Sequence, residues 1–212
     1  MFIQIESAAS IGCVSICPQG AFMAKAQYDR EEIIDKLIDL FWRNGFSGSS
    51  MQQVVEATGL KPGSIYYSFG NKEALFKEAL DHYARASMAR IRGTLDSALS
   101  VGEGLCLFLE KMAGEAAKQE FRSCFLVKTQ LELANGGGEL QAFASAKLCE
   151  VEALFQSYLE REYDRQTSRN RAASIMLHIF GMRIYGYQQN SVERMLLVLR
   201  ESLPWLPWPE RS

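Results

Sequence analysis

The sequence predicts an all-α protein: an N-terminal three-helix head carrying a helix-turn-helix, followed by a larger helical body, about nine helices in all. Three observations predict it. Nearly every segment after Met23 repeats its apolar residues at three- and four-residue intervals, the period of a helix face. Between residues 29 and 69 three short helices are closely spaced, the last two joined by a turn centred on Gly59-Leu60. Strand alternation is missing from that region.

The head is punctuated by caps. Asp29 with Glu32 opens the first helix, Ile33, Leu37, Leu40 and Phe41 form its apolar stripe, and Gly45 stops it. Ser50 and Gln53 make a capping box for the short helix MQQVVEAT, which ends at Gly59. Pro62 sits at the first position of the third helix, where its missing N–H costs nothing. That helix can run only to about Phe69, because Gly70-Asn71 caps the next one. Leu75, Phe76, Ala79, Leu80 and Tyr83 begin a long fourth helix. Later helices are expected at 101–118, 123–135, 139–163, 168–188 and 191–203. They are separated by NGGG, by the polar run DRQTSRN, and by an Asn190–Glu193 box. The expected domains are a head at 23–80, a body at 81–204 and a proline-stiffened tail at 205–212. Residues 1–22 read as a disordered extension with no basic n-region.

Composition narrows the function. A net charge of −2 gives no whole-chain footprint for nucleic acid. The head holds seven cations against eight carboxylates between Met23 and Leu80, so DNA affinity would have to come from placement. No apolar run could cross a bilayer, and no membrane partner is expected. Five irregularly spaced cysteines read as free thiols in a reducing, cytoplasmic setting, with neither a metal site nor a cofactor.

The stretch FWRNGFSGSSMQQVVEATGLKPGSIYYSFGNKEALF resembles the N-terminal domain of the TetR family of bacterial transcriptional regulators. The likeness runs in register from residue 29 to 80 and covers Ala57, Gly59, Gly63-Ser64-Ile65-Tyr66, Phe69 and Lys72-Glu73. It departs from the family at Lys61, where a small capping residue is usual, and at Pro62, where a basic residue is usual. The resemblance implies a homodimeric repressor on a near-palindromic double-stranded operator, released by a small-molecule inducer. Its DNA contacts would fall on Ser50, Gln52, Gln53, Lys61, Pro62, Gly63, Ser64, Tyr66, Tyr67 and Lys72. Ser50 caps a helix with or without DNA, and either tyrosine could be structural.

In the body, Ile175, Ile179 and Met182, with Val192, Leu196, Leu199 and Leu203, make apolar seams. Pattern alone allows burial within one chain; the resemblance implies a four-helix dimer interface. Phe108, Met112, Phe125, Phe155, Met176 and Phe180 are candidates for a ligand cavity or for core. The segment RSCFLVKTQLELA resembles the electrophile-sensing NemR-like branch of the family, with Cys124 at the sensor position. Ser123 is the expected N-cap there, with Cys124 in the first turn and Lys128 one turn on. Tyr187 stands where that branch has a basic residue. Cys124 is either a sensing thiol or an inert core residue. The competing functions are a helical thiol enzyme using Cys124, and a protein-interaction module with a degenerate DNA-binding head. The enzyme lacks a base and orienting partner beside that thiol.

Overall fold

The computed structural model describes residues 28–117, 122–136 and 138–210; the expectation for residues 1–22 lies outside them. Among the described residues there are nine helices and no strand: α1 (Arg30–Asn44), α2 (Met51–Thr58), α3 (Pro62–Phe69), α4 (Lys72–Asp96), α5 (Val101–Glu115), α6 (Phe125–Leu133), α7 (Glu139–Leu159), α8 (Arg165–Tyr185) and α9 (Ser191–Ser202).

Local chemistry sets the ends in the head. The Asp29 carboxylate accepts the Glu31 N–H, and Asn71 accepts that of Ala74. Ser50 and Gln53 exchange both bonds of a capping box. Gly59 takes a left-handed conformation (φ 71°, ψ 6°), open to glycine without steric cost, and turns the chain between α2 and α3.

Several ends in the body differ from expectation. Helix α8 starts at Arg165 because the Asp164 carboxylate caps Gln166 and Thr167, so the polar DRQTSRN run is mostly helix rather than a break. Polarity there marks a solvated first turn. Asn190 is left-handed and makes no side-chain cap, so the expected box with Glu193 is absent. Helix α6 is shorter than expected, with Cys124 rather than Ser123 at the N-cap position. Ser123 is instead buried, its carbonyl accepting the Trp42 indole N–H at 2.7 Å.

Two apolar clusters organise the molecule. The first joins α1–α3 and the N-terminal half of α4 through Leu37, Phe41, Val54, Ile65, Leu75 and Phe76. It also takes in Phe125 and Leu126 of α6 and Leu140 and Ala144 of α7, which lie far beyond the head in sequence. The second cluster joins the rest of α4 to α5, α7, α8 and α9. It continues past α9, because Leu206 is buried and Trp205 and Trp208 pack on it. Arg171 sits 3.9 Å from the Tyr163 ring centroid and 4.2 Å from that of Trp205, fixing this C-terminal segment. No helix of the described residues is long and apolar enough to cross a membrane.

Candidate DNA-binding helix and effector cavity

Helix α3 holds to the head by Ile65 and Phe69; Ser68 is half-buried and the other residues between and before them face outward. Lys61, Pro62, Gly63 and Ser64 are exposed, as are Tyr66 (53%) and Tyr67 (84%). Neither tyrosine is core. Phenol rings held in water next to a slim Pro-Gly-Ser front are unexplained by packing, but suit a surface that meets something else. A Cβ on Gly63 would meet nothing within 4 Å, so its absence relieves no crowding inside the chain.

The other predicted contact residues divide. Gln52 is exposed and donates to Glu56 at 3.0 Å. Ser50 and Gln53 are engaged in the capping box. Lys72 is placed differently from expectation. Its ammonium donates to the Phe46 and Ser49 carbonyls (3.0 and 2.9 Å) and lies 4.3 Å from the Phe46 ring centroid. Two of its three donors thus hold the α1–α2 loop, because unpaired loop carbonyls are nearer than any outside phosphate. Four more cations among the head's described residues are also committed. Arg30 meets Glu78 at 2.8 Å, Lys36 meets Glu32, Arg43 meets Asp39 and Lys77 meets Glu139. Lys61, at the tip of α3, has no such partner among the described residues.

A cavity of about 100 Å³ opens between α4, α5, α6, α7 and α8. Of the expected ligand residues, Phe108, Met112, Cys124, Met176 and Phe180 line it. Phe125 does not: it is buried in the head cluster, edge-on to Phe76 and Tyr83. Nor does Phe155, which is fully buried behind the Phe108 ring. Lys128 does not face the thiol either. Its ammonium donates to the Trp42 and Arg43 carbonyls at the end of α1 (2.6 and 2.8 Å). Helical spacing put Lys128 one turn from Cys124, but the unpaired carbonyls at the end of α1 draw it the other way. The neighbour of Cys124 is Tyr83, whose buried hydroxyl is pushed above the ordinary tyrosine range by desolvation and then by the adjacent thiol. Tyr187 accepts the Ser123 N–H through its hydroxyl oxygen at 3.1 Å.

Head and cavity share α6. Besides Lys128, the Glu132 carboxylate accepts the Phe46 and Ser47 N–H groups (3.1 and 2.8 Å). Sequence could not reveal this contact, since Glu132 is one of many exposed helix carboxylates. Gly45 was the available signal: φ is 76°, and a Cβ there would strike the Glu132 carboxylate.

The expected dimer seam is revised. Ile175, Ile179, Met182, Leu199 and Leu203 are buried in their own chain's core, and Leu196 packs against it. Val192 is half-buried. A four-three-four stripe reports burial but not which neighbour covers it, and here the neighbours are α5 and α7. The outward face carries Leu177 (70% exposed), Ile184, Tyr185, Leu197 and Val198 instead. His178 is satisfied, with Nδ1 at 2.7 Å from the Ser174 carbonyl and Nε2 at 2.8 Å from the Ser202 hydroxyl.

A helix-turn-helix whose second helix stands bare, carried on a helical body, defines a DNA-binding transcriptional regulator. Residues 33–79 match the family described as "Bacterial regulatory proteins, tetR family". The chain is 27% identical over 191 residues to the HTH-type transcriptional repressor ComR of Escherichia coli K12, covering 86% of this chain and 90% of that one. A solved cysteine mutant of the TetR family regulator CifR, complexed with 26-bp operator DNA, superposes with a TM-score of 0.70 at 28% identity. That match covers 86% of this chain and 97% of CifR. Reduced Escherichia coli NemR shares the fold, with a TM-score of 0.68 at 17% identity over 81% and 95% of the two chains. Residues 33–79 thus carry a TetR-family DNA-binding domain, and most of the chain is similar to transcriptional regulators of that family.

Proposed function

We propose that the chain is a homodimeric repressor that sets α3 into the major groove of a near-palindromic operator and leaves it when the cavity is occupied. The observation carrying this reading is the bare α3 surface: Lys61, Pro62, Gly63, Ser64, Tyr66 and Tyr67 all face solvent on a helix anchored by only two core residues. A recognition helix presents its N-terminal residues to base edges, and two copies read half-sites about 34 Å apart. Lys61 and the tyrosine hydroxyls would contact phosphate, and the thin Gly63-Ser64 front would admit the backbone to the groove. The exposed apolar residues of α8 and α9 supply the dimer contact.

Release runs through α6. Cys124, Leu126 and Val127 line the cavity, while Lys128 and Glu132 of the same helix hold the end of α1 and the loop before α2. A ligand that displaces α6 therefore shifts the head against the body, changing the spacing of two α3 helices in a dimer. Because Cys124 lines the cavity, an electrophile small enough to enter meets its sulfur, and alkylation there would act as a bound ligand does.

The test is binding of the full chain to DNA upstream of its own and neighbouring genes. A discrete footprint of two half-sites, lost when Tyr67 is changed to Ala in an otherwise stable protein, is the expected result. Equal binding to unrelated DNA, or an unchanged footprint in that variant, would overturn the reading.

A further inference from the structure

The cavity carries more positive charge than its walls neutralise. Among the described residues, Arg90, Lys111 and Arg183 line it against a single carboxylate, Glu115. Arg183 is largely buried; Nη1 donates to Glu115 at 2.8 Å, while Nε is buried without a partner. At the exposed rim, Arg90 reaches only the Ser87 hydroxyl (3.1 Å), and Lys111 has no partner among the described residues. Chains rarely place a guanidinium beside apolar walls with a donor unmet, because burying an unpaired polar group is costly. An anion would complete this set.

The Tyr83 hydroxyl, held protonated by burial and hydrogen-bonded to Cys124, adds an uncharged polar group to the wall. Elsewhere the walls are mostly apolar, with Phe108, Met112, Met176 and Phe180 among them. A planar guanidinium matches a carboxylate in shape as well as charge, and aromatic walls suit a ring. About 100 Å³ admits one ring or a short chain rather than a fused system. We infer that the cavity takes a small organic carboxylate with an apolar body, its headgroup towards Arg183 and Arg90 and its body against Phe108 and Phe180. This inference rests on the reading of the cavity as the effector site.

The experiment titrates the full chain calorimetrically at neutral pH with three single-ring probes: benzoate, benzamide and benzylamine. Benzoate should bind at least about tenfold more tightly than benzamide, the worth of one charge-assisted hydrogen bond, and benzylamine should not bind. Arg90→Met should weaken benzoate and leave benzamide unchanged. The double variant Arg183→Met/Glu115→Gln, which strands neither charge, should abolish the preference. Benzamide or benzylamine matching benzoate, no benzoate binding, an undiminished preference in Arg90→Met, or a preference surviving in the double variant would overturn the proposal. Operator release measured in parallel separates the two readings. Benzoate that binds without releasing DNA would break the effector reading and leave the anion preference standing. Release by benzamide alone would do the reverse.

Discussion

Lys128 donates its ammonium to the Trp42 carbonyl at 2.6 Å, so the fourth residue of α6 caps the end of α1. The Trp42 indole N–H returns the contact by donating to the Ser123 carbonyl just before α6. Lys128→Met removes both ammonium bonds and should cost about 2 kcal/mol of stability, read by denaturant unfolding. It should also blunt effector-induced release of DNA, because the body loses its hold on the head. Full release with unchanged stability would show that the ammonium is idle.

Tyr67 and Lys61 touch nothing that holds the head together, so their loss should spare the fold. Tyr67→Ala and Lys61→Ala should each stay within about 0.5 kcal/mol of the parent in unfolding. Lys61→Ala should also lower the slope of log affinity against log salt by about two for the dimer, the signature of one lost phosphate contact in each head. Fluorescence anisotropy at several salt concentrations reads both effects.

Lys72 should behave in the opposite way. Lys72→Ala leaves the Phe46 and Ser49 carbonyls without their donor, so unfolding should begin about 1–3 kcal/mol earlier. Operator affinity would then fall through the disordered loop before α2 rather than through a phosphate. A stable Lys72→Ala protein with a reduced salt slope would restore the direct contact.

On α8 and α9 exposure decides the outcome of an inserted charge. Leu177→Asp or Val198→Asp should give a folded monomer by light scattering, since both side chains face outward. Leu199→Asp buries a charge in the second apolar cluster and should unfold the chain, at a cost above about 4 kcal/mol. A dimeric Leu177→Asp, Val198→Asp pair would place the interface elsewhere.

The contrast between head and body shows what the sequence carried. Asp29, Ser50, Gly59, Pro62 and Asn71 act on neighbours a few residues away, so the helix ends of the head were readable from local chemistry. Ile65 and Phe69 were readable as the inner face of α3, but the sequence left open whether one of Tyr66 and Tyr67 is structural, and both are bare. Lys72, Lys128 and Glu132 were misread or missed because their partners lie 23 or more residues away and are backbone groups, which leave no mark in a side-chain pattern. The seam on α8 and α9 failed for a related reason: helical period finds a buried face without naming its cover.

Cys106 gives a pH test. Burial pushes its thiol up to about 11, with Glu110 adding repulsion. In the unfolded chain the thiol releases its proton at lower pH, so its contribution is present below that value and is lost as pH rises towards 11. Stability measured at pH 8 and pH 10 should fall less in Cys106→Ala than in the parent. The same burial should leave Cys106 the last of Cys106, Cys124 and Cys149 to react with N-ethylmaleimide, read by peptide mass spectrometry.

The ion pairs of the head bear on where such a molecule spends its time in a cell. Arg30, Lys36, Arg43 and Lys77 each face a carboxylate of the same chain, and Lys61 alone of the head's described cations is uncommitted. Displaced counterions supply nearly all of the attraction between a protein and unrelated DNA. A head with so little charge in reserve should hold unrelated DNA weakly and slide along it poorly. Copies free of DNA would then be the first to meet a newly arrived effector, ahead of those seated on an operator.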